Sequence, residues 1–288
     1  MTAVAWLNGD FVSAAEARIN IFDGGFLHGA GLFETMRAEH GCVFRIASHL
    51  RRLCASYEKI LRPMTVDSLP SHAQFQELLN RNELETARVR LTVTAGSMKE
   101  ADSNQGGALT ICATAAPLAA YPQCLFDEGV HVIVCPFRQG VDDPLAGHKT
   151  TAYLSRLLGL REAAKVPCME AVWFTTRNEL AEGSISNIFV VRNGVLRTPP
   201  LTTPVVPGIA RSVVLESAAE LGIETQESPL HIGDLLDAEE CLLTNAIMQV
   251  MPVIRVERRD IGGGKVGNMA KKLLDAYRAK VRAECTRS

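Results

Sequence analysis

The amino-acid sequence predicts an α+β protein with two domains, and three observations lead to that prediction. Polar and apolar residues alternate in runs such as ARVRLTVT, as they do in strands with one buried face. Apolar residues at helical spacing follow several of these runs, as in HLRRLCASYEKI. The segment APLAAYPQCLFDEG, which contains two prolines, interrupts both patterns and is typical of a link between domains. We therefore expect a smaller N-terminal domain over 1–118, a linker over 119–127 and a larger C-terminal domain over 128–288.

The composition argues against several classes of protein. Of the 288 residues, 47% are hydrophobic and 22% are charged, which is ordinary for a globular chain that needs no disulfides. The formal net charge of −2 argues against nucleic acid as a partner. The eight cysteines form no C-x-x-C pair and the seven histidines are scattered, so we predict no metal site. We recognise no signal peptide and no apolar run of membrane-spanning length, and expect a cytoplasmic protein that does not bind membranes.

The predicted N-terminal domain begins with two hairpins and a helix. The dipeptides Asn8-Gly9 and His40-Gly41 each separate two strand-like runs, where they suit the positive φ values of a tight turn. The helix follows in HLRRLCASYEKI, and Ser48 is its candidate N-cap.

The strand-like run ARVRLTVTAG comes next and carries Arg88 and Arg90 on its polar face, which is either exposed to solvent or lines a site. Beyond the linker, strands and helices alternate through the predicted C-terminal domain. In chain order they are the strand VHVIVCPF, the helix TAYLSRLLGLREAAK, the strands EAVWFTT and NIFVVRNGVLRTP, the helix GIARSVVLESAAELG, the strands ECLLTNA and MPVIRV, and the helix NMAKKLLDAYRAKVRAE.

Two residues have the chemistry of an active site. Lys149 lies where a loop passes into an apolar helix, and partial burial there would favour a nucleophilic neutral amine. Glu182, in ELAEGSISNIF, lies in a predicted tight loop between two strands, where a buried acid needs a cationic or donor partner. A solvated lysine and a loop glutamate in water are the alternative interpretations of the two positions.

Three further segments are able to bind a phosphate group. PGIARSVV begins a helix whose first amides are exposed at Gly208, and LLTNA offers Thr244 with adjacent backbone donors. Arg52, in HLRRL, is able to supply a bidentate guanidinium. A routine helix start, a strand end and a surface arginine explain the same segments equally well.

The order of these segments resembles that of the class IV aminotransferases, also called fold-type IV pyridoxal phosphate enzymes. The matching segments are FDGGFLHGAGLFETMR, HLRRL, the Lys149 segment, ELAEGSISNIF, PGIAR and LLTNA, and together they span about residues 4 to 280. The most specific of them is E-G-x-x-S-N-I-F, about 33 residues after the lysine. The resemblance implies a two-domain fold whose larger C-terminal domain is mixed α/β and barrel-like. It also implies pyridoxal 5'-phosphate as the cofactor and a homodimer as the assembly.

The resemblance assigns roles to residues of this chain. Lys149 would hold the cofactor as a Schiff base and move a proton between substrate and cofactor. Glu182 matches the acid that keeps the ring nitrogen protonated. Tyr153, predicted to lie one helical turn after Lys149, would approach the phenolic oxygen. The residues implied in phosphate binding are Arg52, Ile209, Ala210, Thr244 and Asn245. The residues implied in substrate contact are His28, Phe33, Arg88, Arg90 and Ala246.

The chain also departs from the patterns of the subgroups in this family. Ala95 stands where D-amino acid aminotransferases have a carboxylate-binding arginine, and Phe33 stands in place of their substrate-site tyrosine. Ala152 replaces the asparagine that branched-chain aminotransferases have before the tyrosine. Glu34 stands where some lyases carry a hydroxyl residue that donates a proton.

These departures leave the substrate and its stereochemistry unpredicted. We expect a ping-pong aminotransferase that acts on an amino acid and a 2-oxo acid. The alternative is 4-amino-4-deoxychorismate lyase, which eliminates pyruvate and leaves 4-aminobenzoate. A non-catalytic protein that binds pyridoxal phosphate is a third hypothesis, against which the lysine and the acid argue.

Overall fold

The structure is a computed structural model in which residues 3–97 and 108–286 are described. Packing divides the chain into two units. Unit 1 comprises Met1–Ala119, Lys149–Tyr153 and Val281–Ser288, and unit 2 comprises Ala120–His148 and Leu154–Lys280. The chain returns to unit 1 after first leaving it, whereas the predicted division has one linker and two continuous domains. The predicted linker 119–127 also differs, because most of it belongs to unit 2 and its end is helical.

Unit 1 is built on an antiparallel sheet. Within the described residues its strands are β1 (Val4–Leu7), β2 (Asp10–Ser13), β3 (Gly31–Glu39), β4 (Cys42–Val43), β5 (Ala87–Thr94) and β6 (Thr110–Pro117). They lie side by side in the order β2-β1-β6-β5-β3-β4. Its α-helices there are α1 (Gly24–His28), α2 (Ile46–Ile60) and α3 (His72–Arg81), and a short 3-10 helix spans Val66–Ser68. Both predicted hairpins are confirmed, since Asn8-Gly9 joins β1 to β2 and His40-Gly41 joins β3 to β4.

One face of this sheet forms the core of unit 1. In β5, Val89 and Leu91 are fully buried, whereas Arg88 and Arg90 are exposed on the other face, so the predicted alternation is confirmed. Tyr57 of α2 packs into the same core. Each large apolar side chain buried in this way contributes about 1.5–3 kcal/mol, which holds the helix against the sheet.

The start of α2 differs from the sequence prediction. Ser48 lies inside the first turn, and the N-cap position is occupied by Arg45 with a φ of 54° and no side-chain hydrogen bond. Ile46 packs against the core of unit 1. The helix therefore begins earlier than the polar capping signal indicates, with this partly buried residue packed against the core.

Unit 2 is built on a mixed sheet that curls. Within the described residues its strands are β7 (Val130–Gln139), β8 (Glu170–Thr175), β9 (Leu180–Gly183), β10 (Asn187–Arg192), β11 (Val195–Thr198), β12 (Thr225–Glu227), β13 (Glu240–Asn245), β14 (Gln249–Val256) and β15 (Arg259–Asp260). Their order is β12-β11-β10-β13-β14-β7-β8-β9, and β15 pairs with β14. Residues 184–186 alone connect β9, at one end of this order, to β10, near the other. The sheet must curl to bring these strands together, as the implied barrel-like domain requires.

The described residues of unit 2 form five α-helices, of which the sequence predicts the three longest and misses the two shortest. They are α4 (Gln123–Glu128), α5 (Leu154–Ala164), α6 (Ile209–Glu220), α7 (Ile232–Leu236) and α8 (Asn268–Cys285), the last of which ends in unit 1. Across 3–97 and 108–286, none of the helices is both long enough and apolar enough to cross a membrane.

Candidate active site

The segment that carries Lys149 is extended rather than helical. Its Lys149 carbonyl accepts a hydrogen bond from the Phe33 N–H of β3 at 2.9 Å, and the Thr151 N–H donates to the Gly31 carbonyl at 2.8 Å. Helix α5 begins only at Leu154. The predicted helical turn between Lys149 and Tyr153 is therefore wrong, because strand-like pairing with β3 takes the place of helical hydrogen bonds.

The amine of Lys149 lies against aromatic rings of unit 1. Its Nζ is 4.3 Å from the centroid of the Phe33 ring and 5.7 Å from that of Tyr153. The two rings meet edge to face, with centroids 5.2 Å apart. The guanidinium carbon of Arg90 lies 3.9 Å from the centroid of Phe33. Four residues that the sequence analysis singled out separately therefore lie together in unit 1: Lys149, Tyr153, Phe33 and Arg90.

The opposite face of β3 carries a buried cluster of charged groups. Glu34 accepts hydrogen bonds from Arg52 Nε at 2.8 Å and from Arg52 Nη2, and its Oε2 lies 2.7 Å from His49 Nδ1. Burial opposes the charged form of Glu34, but Arg52 and His49 hold the pKa of this carboxyl at about 2. Burial also lowers the pKa of His49, against the effect of Glu34, and the positive charges of Arg52 and Lys149 act in the same direction as burial. Glu34 is therefore an ionised acceptor and not a proton donor.

The other predicted substrate residues of unit 1 lie at the edges of this location. His28 is exposed at the end of α1, and the next residue, Gly29, accepts a hydrogen bond from the Thr151 hydroxyl at 2.7 Å. Arg88 is exposed and lies opposite Arg37 in the ladder between β5 and β3. The end of α1 therefore adjoins the lysine segment, and Arg88 belongs to a row of cations on the polar face of the sheet.

In unit 2, Glu182 is buried within β9, so the predicted loop position is wrong. Its Oε1 accepts a hydrogen bond from Arg156 Nη2 at 2.7 Å. Its Oε2 accepts from the Val206 N–H at 3.0 Å and from Asn187 Nδ2 at 3.3 Å. The cationic and donor partners expected for a buried acid are thus present, and they hold the carboxylate in one orientation.

The sequence analysis missed two side chains of this group, Asn187 and Arg156. Arg156 belongs to α5 and donates a second hydrogen bond from Nη2 to Gln139 Oε1 at 2.6 Å. Its guanidinium carbon lies 4.8 Å from the centroid of the Trp173 ring. The signal was present as a single arginine within the apolar run YLSRLLGL, where only a specific partner explains a charge.

The start of α6 and the end of β13 adjoin the same asparagine. Gly208 is the N-cap of α6, without a side-chain hydrogen bond, and a Cβ at this position would overlap Asn187 Oδ1. Thr244 pairs with Asn187 in the ladder between β13 and β10. The Thr244 hydroxyl is buried and has no hydrogen-bond partner among the described residues. The first amides of α6, at Ile209 and Ala210, and this hydroxyl are donors suited to an anion.

Asn245, which follows Thr244 at the end of β13, makes hydrogen bonds with the turn after that strand. Its Oδ1 accepts hydrogen bonds from the N–H groups of Ile247 and Met248 at 2.9 and 2.8 Å, and its Nδ2 donates to the Ile185 carbonyl. The side chain therefore shapes the turn between β13 and β14 in which Ala246 lies.

No group of three or more His, Cys, Asp or Glu side chains within residues 3–97 and 108–286 is arranged to hold a metal ion.

Comparison with known proteins identifies the family of this fold. The sequence model of the family described as amino-transferase class IV matches residues 31–256. A Methanocaldococcus jannaschii protein, provisionally named branched-chain-amino-acid aminotransferase, is 34% identical over 275 residues, which are 95% of this chain and 94% of that protein. The aminodeoxychorismate lyase of Bacillus subtilis is 28% identical, over 96% of this chain and 94% of the lyase.

A solved structure agrees with these sequence relatives. A branched-chain amino acid aminotransferase from T.th., solved with pyridoxamine 5'-phosphate, superposes with a TM-score of 0.89 at 25% identity, covering 100% of this chain and 96% of that one. The fold-type IV architecture implied by the sequence is thereby confirmed. Because the family match spans most of the chain and the archaeal relative is similar along nearly its whole length, the chain belongs to the class IV aminotransferase family.

Proposed function

We propose that the protein is a pyridoxal phosphate-dependent aminotransferase that moves an amino group between an amino acid and a 2-oxo acid. The observation that carries the proposal is the position of the Lys149 amine, 4.3 Å from the centroid of Phe33 in a segment hydrogen-bonded to β3. A lysine that serves as a nucleophile needs such a fixed and partly apolar location. The names of the relatives, which include aminotransferases, support the same reaction.

The residues present fit the cofactor. Its phosphate needs several hydrogen-bond donors, and the buried Thr244 hydroxyl without a partner among the described residues is one, together with the first amides of α6 at Ile209 and Ala210. Its ring nitrogen needs a carboxylate, and Glu182 is a buried one whose charge Arg156 compensates. We infer that Arg52 adds a further positive charge toward the phosphate, held in place by Glu34.

When bound, pyridoxal phosphate supplies an aldehyde that takes up the amino group and a ring that withdraws electrons from the substrate. Lys149 would hold the cofactor through its amine and, once the substrate amine has replaced it, would move a proton between the substrate and the cofactor. Tyr153, whose ring lies beside the Lys149 amine, would orient the phenolic oxygen of the cofactor. Glu182, whose carboxylate accepts a hydrogen bond from Arg156, would keep the ring nitrogen protonated.

The substrate side of the proposal rests on Phe33 and Arg90. Phe33 offers an aromatic surface beside the amine, and Arg90 lies over the same ring with a guanidinium able to bind a carboxylate. We therefore propose an amino acid with an apolar side chain as one substrate, in line with the branched-chain amino acids in the names of several relatives. Arg88, Ala246 and His28 remain proposed substrate contacts.

The second candidate is the lyase reaction, which the similarity to the Bacillus subtilis lyase favours. Elimination requires a proton donor for the leaving group. Glu34 stands where some lyases carry a donor hydroxyl, and its pKa of about 2 makes it an ionised acceptor bound to Arg52. This observation favours transamination.

A single-turnover experiment tests the proposal. The protein loaded with pyridoxal phosphate is mixed with single L- and D-amino acids in the absence of a 2-oxo acid. We expect at least one amino acid, with an apolar side chain, to convert the bound cofactor to pyridoxamine phosphate and to release its 2-oxo acid. Failure of the whole panel, together with release of 4-aminobenzoate from aminodeoxychorismate, would establish the lyase instead. Failure of both reactions would favour the non-catalytic hypothesis.

We also propose a homodimer in the cytoplasm. Apolar side chains near and within α1 are exposed in the single chain, among them Ile21 at 66% and Phe26 at 75%. Exposed apolar clusters of this kind are typical of surfaces that a partner covers. All eight cysteines are free thiols, as expected in a reducing compartment. Light scattering of the purified protein measures the assembly, and a monomeric mass would contradict the dimer.

A further inference from the structure

Unit 2 buries two carboxyl groups beside one guanidinium. Glu170 on β8 and Glu182 on β9 are both buried, and the two strands are neighbours in the sheet. Arg156 of α5 is a cation that acts on both of them. Burial of two carboxylates beside this guanidinium is costly away from water, because one guanidinium compensates only one negative charge. One of the two carboxyls is therefore expected to carry a proton.

The contacts distinguish the two carboxyls. Arg156 Nη2 donates directly to Glu182 Oε1 at 2.7 Å, whereas Glu170 has no hydrogen bond from this arginine. Oε1 of Glu170 accepts from the Ile185 N–H at 2.7 Å and from the Ser186 hydroxyl at 2.9 Å. Its Oε2 is buried without a hydrogen-bond partner among the described residues. An uncharged carboxyl tolerates this position far better than a carboxylate does.

The electrostatics agree with these contacts. Burial raises the pKa of Glu170 to about 7, against the two hydrogen bonds to its Oε1, and the negative charge of Glu182 adds to the rise. Among the described residues, the charged groups that act on Glu170 are Glu182 from β9 and Arg156 from α5, and Arg156 lowers the pKa of Glu170. Glu170 is thus protonated over much of the acidic and neutral range.

Glu170 also shapes the connection that follows Glu182. Its hydrogen bonds to Ile185 and Ser186 hold residues 184–186, which join β9 to β10. A Cβ at Gly183 would overlap both Glu170 Oε1 and the Ser186 hydroxyl, so the residue after Glu182 must be glycine while Glu170 occupies this place. The connection ends at Asn187, which donates to Glu182 Oε2.

We propose that Arg156 and Glu170 are positioning residues that together fix the charge and the orientation of Glu182: Arg156 assigns the negative charge to Glu182, and Glu170 stays neutral and holds the 184–186 connection. The consequence for the reaction rests on the proposed function, in which Glu182 pairs with the cofactor's ring nitrogen. The charge assignment itself is a property of the protein without cofactor, so the two are tested separately.

Infrared difference spectroscopy of the protein without cofactor tests the charge assignment. At about pH 6, we expect the carbonyl stretch of one buried protonated carboxyl in the wild type and its loss in Glu170→Gln. Arg156→Gln removes the charge that holds Glu182 ionised and should add a second such band, whereas Arg156→Lys retains a cation and should not. Persistence of the band in Glu170→Gln, or no added band in a folded Arg156→Gln, would overturn the proposal. If Arg156→Gln does not fold, Glu170→Gln and Arg156→Lys decide the question.

A matched control uses another ion pair of unit 2. Arg197 Nη1 donates to Asp234 at 2.8 Å, and both side chains are only partly buried. Burial opposes the charged form of Asp234, but its hydrogen bonds and Arg197 lower its pKa. Loss of Arg197 should leave this aspartate ionised at about pH 6, since the ordinary pKa of aspartate is near 4. Arg197→Gln should therefore add no protonated band.

Titration with pyridoxal phosphate from about pH 6 to 8 tests the effect on the cofactor. We expect Arg156→Gln to weaken binding at least about tenfold, with recovery to within about threefold in Arg156→Lys. Glu170→Gln has a side chain that stays neutral at every pH of the titration. It should bind pyridoxal phosphate as the wild type does at about pH 6, and it should lose less affinity than the wild type as the pH rises to about 8. Parallel pH profiles for the wild type and Glu170→Gln would contradict the role of Glu170. Normal infrared results without cofactor binding by the wild type would instead reject the proposed function and leave the charge assignment standing.

Discussion

The Glu34 carboxylate holds the Arg52 guanidinium through two hydrogen bonds in the interior of unit 1. Arg52 Nε donates to Oε1 at 2.8 Å and Nη2 donates to Oε2. Glu34 belongs to β3 and Arg52 to α2, so the pair also joins a helix to the sheet. A two-point contact fixes the plane of the guanidinium as well as its charge, and the orientation of Arg52 therefore depends on Glu34.

We expect Glu34→Gln to destabilise the protein without cofactor, with a characteristic pH dependence. Burial alone would raise the pKa of Glu34, but Arg52 and His49 lower it from 4.5 to about 2. A carboxyl whose pKa is lowered by folding stabilises the protein at pH values above its pKa in the unfolded state. This stabilisation is lost as the pH falls through 4.5 toward 2. Its full size is about 3 kcal/mol. Urea unfolding of both proteins between these pH values measures it.

The two unfolding curves should be farthest apart near neutral pH and converge at low pH. The control is Glu77→Gln, which removes a largely exposed pair with Arg81 on α3. That substitution should cost less than about 0.5 kcal/mol at any pH. A difference between wild type and Glu34→Gln that is independent of pH would contradict the buried ion pair as its cause.

A second prediction concerns the lysine that holds the cofactor. Borohydride reduction of the protein loaded with pyridoxal phosphate, followed by peptide mapping, should label Lys149, because its amine is fixed against Phe33. Lys149→Ala should lose the label. The control is Lys165→Ala, which removes an exposed lysine paired with Glu162 and should leave the label in place. A label on Lys165 in the wild type would refute the assignment.

A third prediction separates binding from turnover at Glu182. Glu182→Gln keeps the size of the side chain and one acceptor oxygen, replaces the other acceptor with an amide donor, and removes the negative charge that would stabilise a protonated ring nitrogen. We expect the cofactor to remain bound while kcat falls about a hundredfold or more. Steady-state kinetics with the amino acid that reacts best in the wild type measure the loss. Activity within a few-fold of wild type would reject this role for Glu182.

Much of the fold was predictable because local signals and packing agree. The alternation in β5 corresponds to a face that is buried over its whole length, and the two hairpin dipeptides adopt the positive φ values that a tight turn requires. The capping prediction at Ser48 was wrong because a polar residue near a helix start is weaker evidence than the packing of the partly buried Ile46 against the core.

The candidate site was less predictable because its partners are distant in the sequence. The spacing between Lys149 and Tyr153 indicates a helical turn, yet hydrogen bonds to β3, more than one hundred residues earlier, hold this segment extended. Arg156 lies 26 residues before Glu182, and nothing local to either residue indicates their contact. A buried acid predicts that a cation is present, but only the curled sheet of unit 2 determines which one.

A final prediction uses the buried hydroxyl of Thr244. This group has no hydrogen-bond partner among the described residues, and a buried polar group without a partner costs about 1–3 kcal/mol. Thr244→Val has nearly the same shape and removes that cost, so the protein without cofactor should be as stable as the wild type or slightly more stable. If the hydroxyl binds the phosphate of pyridoxal phosphate beside the start of α6, the same substitution should weaken cofactor binding about tenfold. Thr244→Ser keeps the hydroxyl and should bind the cofactor nearly as the wild type does. Urea unfolding without cofactor and cofactor titration measure the two effects, and a destabilised Thr244→Val with unchanged affinity would show that the hydroxyl serves the fold rather than the phosphate.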